Sequence, residues 1–167
     1  MKELYIKQKV LSMRGRFTVK DADERDVYFV EGSFLKVPKV FTVSDTGGSE
    51  VAQITKHFLT WLPKFTVSID GQEVITIKKE FTFFKSKFTI DALGLEVEGD
   101  WWDMDFGIYQ HGELIGEVSK KWFSWGDSYQ VKVMDESVEK LIIALVIAID
   151  CVKADQSSAA SSASFGD

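Results

Sequence analysis

Eleven residues from Lys78 to Phe88, Lys-Lys-Glu-Phe-Thr-Phe-Phe-Lys-Ser-Lys-Phe, interleave lysines with aromatic rings. Lys78, Lys79, Lys85 and Lys87 can meet an anionic phospholipid headgroup while the neighbouring rings of Phe83 and Phe84 dip into the interface. Strand parity counted from Ile75 turns Lys78 outward, and parity from Phe88 turns Lys85 and Lys87 outward. Lys79 falls on the inward parity, so it must sit near a rim or a bend. The plainer alternative is a solvated outer face on which lysines protect an edge.

Other chemistry-bearing groups are weaker candidates. Glu96, Glu98, Asp100, Asp103 and Asp105 offer oxygen ligands of the kind calcium takes, but without the spacing of an EF-hand loop. The first three simply alternate on one strand face, so no metal site is expected. Trp101, Trp102, Trp122 and Trp125 fit the ends of a barrel better than a ligand platform. Lys121 is outward by parity. Lys120 is inward, beside Val118 and Trp122, and is expected to pair with Asp127 or Asp150 near a rim. His57, His111 and Cys151 make neither a zinc site nor a nucleophilic pair, because Cys151 lies in an apolar run and behaves as a small hydrophobe. No phosphate-cradling loop, dinucleotide fingerprint or nucleophile elbow is present. No catalytic residue and no cofactor is expected.

The elements that position these groups follow from periodicity. The chain has 167 residues, is 13% aromatic and carries a net charge of −6. That charge disfavours nucleic acid as a partner. It is unevenly spread: residues 1–20 hold six Lys or Arg against one Glu. The single cysteine fits a cytoplasmic location. The N-terminus has no long apolar run, so neither a signal peptide nor a transmembrane segment is expected.

Apolar residues alternate with polar ones through most of residues 4–134, as in antiparallel strands with one buried face. Inward positions include Leu4, Ile6, Phe41, Val43, Phe65, Val67, Ile75, Ile77, Leu93, Leu95, Phe106, Ile108, Leu114, Val118, Tyr129, Val131 and Val133. Asp70-Gly71 is a strong hairpin signal, with Thr46-Gly47-Gly48 and His111-Gly112 behind it. Phe17-Thr18-Val19, Phe41-Thr42-Val43 and Phe65-Thr66-Val67 recur every 24 residues, and Phe88-Thr89-Ile90 follows 23 later. A repeated hairpin of this kind builds a meander, and eleven or twelve strands must close or split.

From Val138 to Val152 the period changes. The run is apolar on nearly every side, so it must be surrounded. It is too short for lipid, and the interior of a barrel of about twelve strands needs filling. The expected architecture is therefore a mainly β, closed antiparallel barrel over residues 1–153. A central α-helix spans about 137–152, capped by Asp135 or Ser137. Residues 154–167, rich in Ser and Ala, are expected to form a flexible tail.

Four stretches then carry a family likeness: Gln8–Ser12, Ile77–Lys85, Val97–Trp101 and Ser119–Tyr129, the last with its Lys-Lys-Trp and Trp-Gly-Asp-x-Tyr elements. With the helix Leu145–Asp150, the chain resembles the LURP-one-related (YxjI-like) family of the tubby C-terminal-like superfamily. That resemblance covers about residues 3–153. It implies a twelve-stranded barrel around a central C-terminal helix. Superfamily relatives include the phosphoinositide-binding tubby proteins and the phospholipid scramblases, a likeness of fold only.

The leading functional expectation is a non-enzymatic binding or scaffold module that touches anionic phospholipid through Lys78, Lys79, Lys85 and Lys87. Two alternatives stay open. One is an enzyme or small-ligand binder with a pocket at a barrel mouth. The other is a protein-interaction module using exposed aromatics such as Trp101 and Trp102.

Overall fold

A computed structural model describes residues 1–7, 16–33, 38–57, 64–81, 86–123 and 126–164. Twelve strands follow one another: β1 (Lys2–Lys7), β2 (Arg16–Asp21), β3 (Asp26–Gly32), β4 (Lys39–Asp45), β5 (Glu50–His57), β6 (Lys64–Ile69), β7 (Gln72–Phe81), β8 (Ser86–Asp91), β9 (Leu95–Asp100), β10 (Asp105–Gln110), β11 (Glu113–Phe123) and β12 (Gly126–Val133). A 3-10 turn at Glu136–Val138 leads into helix α1 (Glu139–Ser164).

Every hydrogen-bonded neighbour pair is antiparallel, and the order runs β8-β7-β6-β5-β4-β3-β2-β1-β12-β11-β10-β9. Pairing of β1 with β12 curls the meander into a nearly closed barrel. Two-residue turns drive the tight reversals. Asp70 and Gly71 both have positive φ, 51° and 76°, as do His111 and Gly112 at 52° and 80°. That is the turn whose twist matches the strands it joins.

A bulge recurs in four hairpins. The register shifts beyond Val19, Val43, Val67 and Ile108, leaving Val27, Val51, Val74 and Ile115 as extra residues on the returning strands. Each extra residue bends its strand and raises the local twist, which a curved wall requires. The bulges also break strict alternation. Leu114 is 37% exposed and Ile115 takes the inward place at 5%. Leu93, expected to point inward, sits in a turn with φ 37° and is 62% exposed.

The inner faces close on α1. Leu4, Ile6, Phe65, Ile75, Ile108 and Val131 are buried, and so is the helix from Ile142 to Ile149. Near the start of the helix the wall comes close. A Cβ on Gly116 would stand 3.3 Å from the Ile142 side chain, so glycine permits that approach. The helix runs to Ser164 rather than ending near 152, so most of the segment expected to be a flexible tail is helical. The reason is cooperativity: once the buried stretch has nucleated the helix, each added residue costs little, and the alanines beyond Lys153 favour propagation.

Candidate functional site at the helix-exit end

Because consecutive strands are antiparallel, the turns after even-numbered strands share one end of the barrel and those after odd-numbered strands share the other. Helix α1 follows β12, so it enters from the first end and leaves through the second.

The entry end is acidic. Each of its connections carries a carboxylate: Asp21, Asp45, Asp70, Asp91, Glu113 and Asp135. Two of these repeat one motif. Asp21 Oδ1 accepts from the backbone N–H of Asp23 and Arg25, and Asp45 Oδ1 accepts from those of Gly47 and Ser49, all at 2.9 Å. Asp135 caps the 3-10 turn, accepting from the Ser137 hydroxyl at 2.6 Å and from Ser137 N at 3.0 Å, and these bonds, the hydroxyl's first, hold its carboxyl below the usual range. Negative charge there suits the positive end of the helix.

The exit end is basic over β4 to β7. Lys39 lies directly across from Lys56, and Lys64 lies across from both His57 and Lys78. Like charges directly opposite one another on a sheet are destabilising. Two layers result. Lys39, Lys56 and Lys79 lie on the inward parity at the rim, while His57, Lys64 and Lys78 lie on the outer wall just below it. Of the inner layer, Lys56 pairs with Asp155 of the emerging helix, and Lys79 donates to Gln156 Oε1 at 3.0 Å. Lys39 sits 5.1 Å from the centre of the Phe41 ring. Among the described residues, Lys39, Lys64 and Lys78 make no ion pair, and Lys39 and Lys78 are exposed.

Of the residues singled out in the sequence, Lys78 is on the outer wall and Lys79 is at the rim against the helix. Lys85 and Trp125, together with the side chains of Lys87, Lys121 and Trp122, lie outside the described residues. Lys120 keeps its inward parity but is exposed, and its Nζ is 3.8 Å from Asp103 rather than against Asp150; the side chain of Asp127, its other expected partner, lies outside the described residues. The strand has reached the mouth at that position, so an inward parity no longer means burial. Trp101 is half-buried against the core. Trp102 is 41% exposed, with its ring edge-on to Trp101 at 5.6 Å, so the pair does not plug the barrel as a unit.

His57 Nε2 is 2.8 Å from Thr66 Oγ1 on the outer wall, whereas His111 is in an entry-end turn. The structure therefore does not bring His111 to Cys151. Burial pushes the Cys151 thiol well above its ordinary range, the opposite of an activated nucleophile. Among the described residues, no three His, Cys, Asp or Glu side chains converge as metal ligands.

Lys39, Lys56 and Lys64 were not singled out by sequence reasoning, though a signal existed. Each even strand from β2 to β8 has a base at or next to its start and an acid at or just past its end: Arg16 and Asp21, Lys39 and Asp45, Lys64 and Asp70, Lys87 and Asp91. The 24-residue repeat thus carries its charge polarity with it, and barrel closure gathers the like ends.

Inside the mouth, Asp150 is buried on α1 and accepts from the Tyr129 hydroxyl at 3.1 Å. Lys153, one turn further, stands over the Tyr129 ring at 5.8 Å, and burial lowers its pKa. Burial raises Asp150 to about 6 from an ordinary 3.8, opposed by Tyr129 and Lys153. The folded state therefore holds the proton more tightly than the unfolded chain does. Asp150's contribution to stability is fully present below about pH 4 and is lost as pH rises through 6, a loss of about 3 kcal/mol at most. Asp150→Asn keeps an acceptor for Tyr129 without the charge. Its melting temperature should exceed that of the native protein at pH 7 by several degrees and match it near pH 4. An equal difference at both pH values would contradict this account.

The comparisons agree with the architecture. The profile of the LURP-one-related family matches residues 2–150. The uncharacterised protein YxjI of Bacillus subtilis (strain 168) is 35% identical over 152 residues, covering 91% of this chain and 94% of that one. The X-ray structure of an Arabidopsis thaliana protein superposes with a TM-score of 0.61 at 15% identity, covering 90% of each chain, a likeness of fold alone. With a barrel threaded by its C-terminal helix and a family profile spanning nearly all of it, this chain belongs to the LURP-one-related family.

Proposed function

We propose that this protein is a non-catalytic binding module whose helix-exit end meets anionic phospholipid headgroups. The observation that carries the reading is the like-charge row across β4 to β7, with Lys39 opposite Lys56 and Lys64 opposite Lys78. Lys56 is already paired with Asp155, so the uncompensated charge of the row is that of Lys39, Lys64 and Lys78, which an external anion relieves. Trp102 lies in the β9–β10 connection at the same end, but exposed Asp100, Asp103 and Asp105 surround it, so the surface proposed to meet the anion is the β4–β7 sector alone. The acidic entry end would face away from a negative surface, so the charge separation also orients the molecule.

The attraction is modest. Each lysine near an anionic surface contributes about 1 kcal/mol, so three unpaired lysines give weak, reversible and salt-sensitive binding. Among the described residues no helix is long and apolar enough to cross a membrane, so the contact proposed is peripheral. Co-sedimentation with phosphatidylcholine vesicles, with and without phosphatidylserine, tests it at low and physiological salt. Binding should require phosphatidylserine and weaken with salt. The triple variant Lys39→Glu, Lys64→Glu, Lys78→Glu should lose it while keeping its circular dichroism spectrum. Salt-independent binding, or undiminished binding by the folded triple variant, would remove this surface from the account.

A further inference from the structure

The barrel has a seam. β8 and β9 are the two ends of the sheet order, although they are consecutive in sequence. They touch in their turn, where Leu95 N donates to Ala92 O at 2.7 Å. Beyond that bridge no ladder joins them among the described residues, and their Cα traces stay more than 8 Å apart over most of their length. Paired strands lie about 4.8 Å apart, so the seam is too wide for direct pairing.

The bridge fixes which backbone groups of β9 face the gap. Leu95 N points to the β8 side, and alternate residues of a strand point the same way. Val97 and Gly99 therefore present their N–H and C=O groups to the seam, while Glu96, Glu98 and Asp100 bond toward β10. No described partner meets the Val97 or Gly99 groups on that side. Gly99 marks the end of the usable edge, because its φ of 118° bends the strand there.

The side chains bordering this edge are of one sign. Glu96 and Glu98 point outward, are exposed, and make no hydrogen bond or ion pair among the described residues. Asp100 and Asp105 continue the same face. A second copy pairing through β9 would set these acids against their own counterparts, which is unfavourable. A strand with basic residues on the matching face would meet them with opposite charge. We infer that the free edge of β9 accepts an extended, lysine- or arginine-bearing segment of a partner protein. The segment adds as a strand through the Val97 and Gly99 backbone and is selected by Glu96 and Glu98.

The probe is a synthetic peptide alternating Lys and Val over six residues, compared with its Glu-Val counterpart, by titration calorimetry at low salt. The Lys-Val peptide should bind and the Glu-Val peptide should not. Val97→Pro removes a donor that faces only the seam and leaves the β10 ladder intact. It should weaken binding at least tenfold, and Glu96→Lys with Glu98→Lys should do the same. If Val97→Pro fails to fold, a peptide N-methylated on the bonding edge makes the same test on the native protein. Undiminished binding to folded Val97→Pro, or by the N-methylated peptide, would mean adsorption by charge alone and overturn the proposal. So would absence of binding. Hydrogen exchange gives a separate readout: the Val97 amide should exchange fast alone and slow with peptide. A Val97 amide protected in the protein alone would overturn the proposal. Protection that persists on dilution would mean that β8 closes the seam. Protection lost on dilution with a dimer would assign the edge to a second copy.

Discussion

Ile147→Asp is expected to leave no folded barrel. Ile147 lies midway along the buried part of α1 and is fully enclosed, with the neighbouring positions Val146 and Ala148 equally buried. A carboxylate there has no partner and no water, and either ionising it or holding it protonated costs several kcal/mol. Domains of this kind are stable by about 5–15 kcal/mol, so one such change removes most or all of the margin. The far-ultraviolet circular dichroism melt should lose its cooperative transition. Ile147→Ala provides the graded control: a loss of about 2–5 kcal/mol from the missing contacts and the cavity left behind. A native-like melt for Ile147→Asp would mean that the helix is not the filling of the barrel.

The second large effect belongs to Glu139, at the helix-entry end. Its Oε1 accepts from Lys2 Nζ at 2.8 Å and from the Tyr28 hydroxyl at 2.5 Å. One carboxylate thus ties the first strand and the third strand to the start of the helix. The Tyr28 hydroxyl is raised far above its ordinary pKa, first by burial and then by the Glu139 carboxylate, so it stays a donor. Glu139→Ala strands the buried hydroxyl and one end of a partly buried ion pair, and should cost about 2–4 kcal/mol. Glu139→Gln keeps an acceptor for Tyr28 and should cost less. Lys2 is partly exposed, so Lys2→Met should cost about 1 kcal/mol or less. Urea unfolding should rank the variants Ala, Gln, Met in descending cost. A Glu139→Ala variant as stable as Lys2→Met would show that the three-way contact does not hold the helix in place.

The ranking illustrates how charge works in this molecule. Acids dominate the turns of the entry mouth, whereas lysines gather at the exit mouth over β4 to β7. At the entry end the charges are spent on turns and caps. At the exit end part of the lysine row is left facing solvent, which is why a binding role is assigned to that mouth rather than to the other.

The sequence alone determined the kind of fold. Period-two alternation separates an inner face from an outer one, and the run Leu141–Ile149 is apolar on every side, so it must be wrapped. Both are local patterns, legible without knowing what touches what. Lys78 and Lys79 were legible as candidates for the same reason, as neighbours in sequence on opposite parities. Their companions were not. Lys39, Lys56 and Lys64 come from different hairpins, and only the register of β4, β5 and β6 sets them beside each other. The bulges at Val27, Val51, Val74 and Ile115 were hidden because an extra residue in a strand looks like ordinary variation until its partner strand is known. The Glu139–Lys2–Tyr28 contact joins residues up to 137 apart. The open seam at β9 is decided by curvature accumulated over all twelve strands. Periodicity reports which way a side chain points, whereas register and closure decide what it meets, and those are properties of the whole barrel.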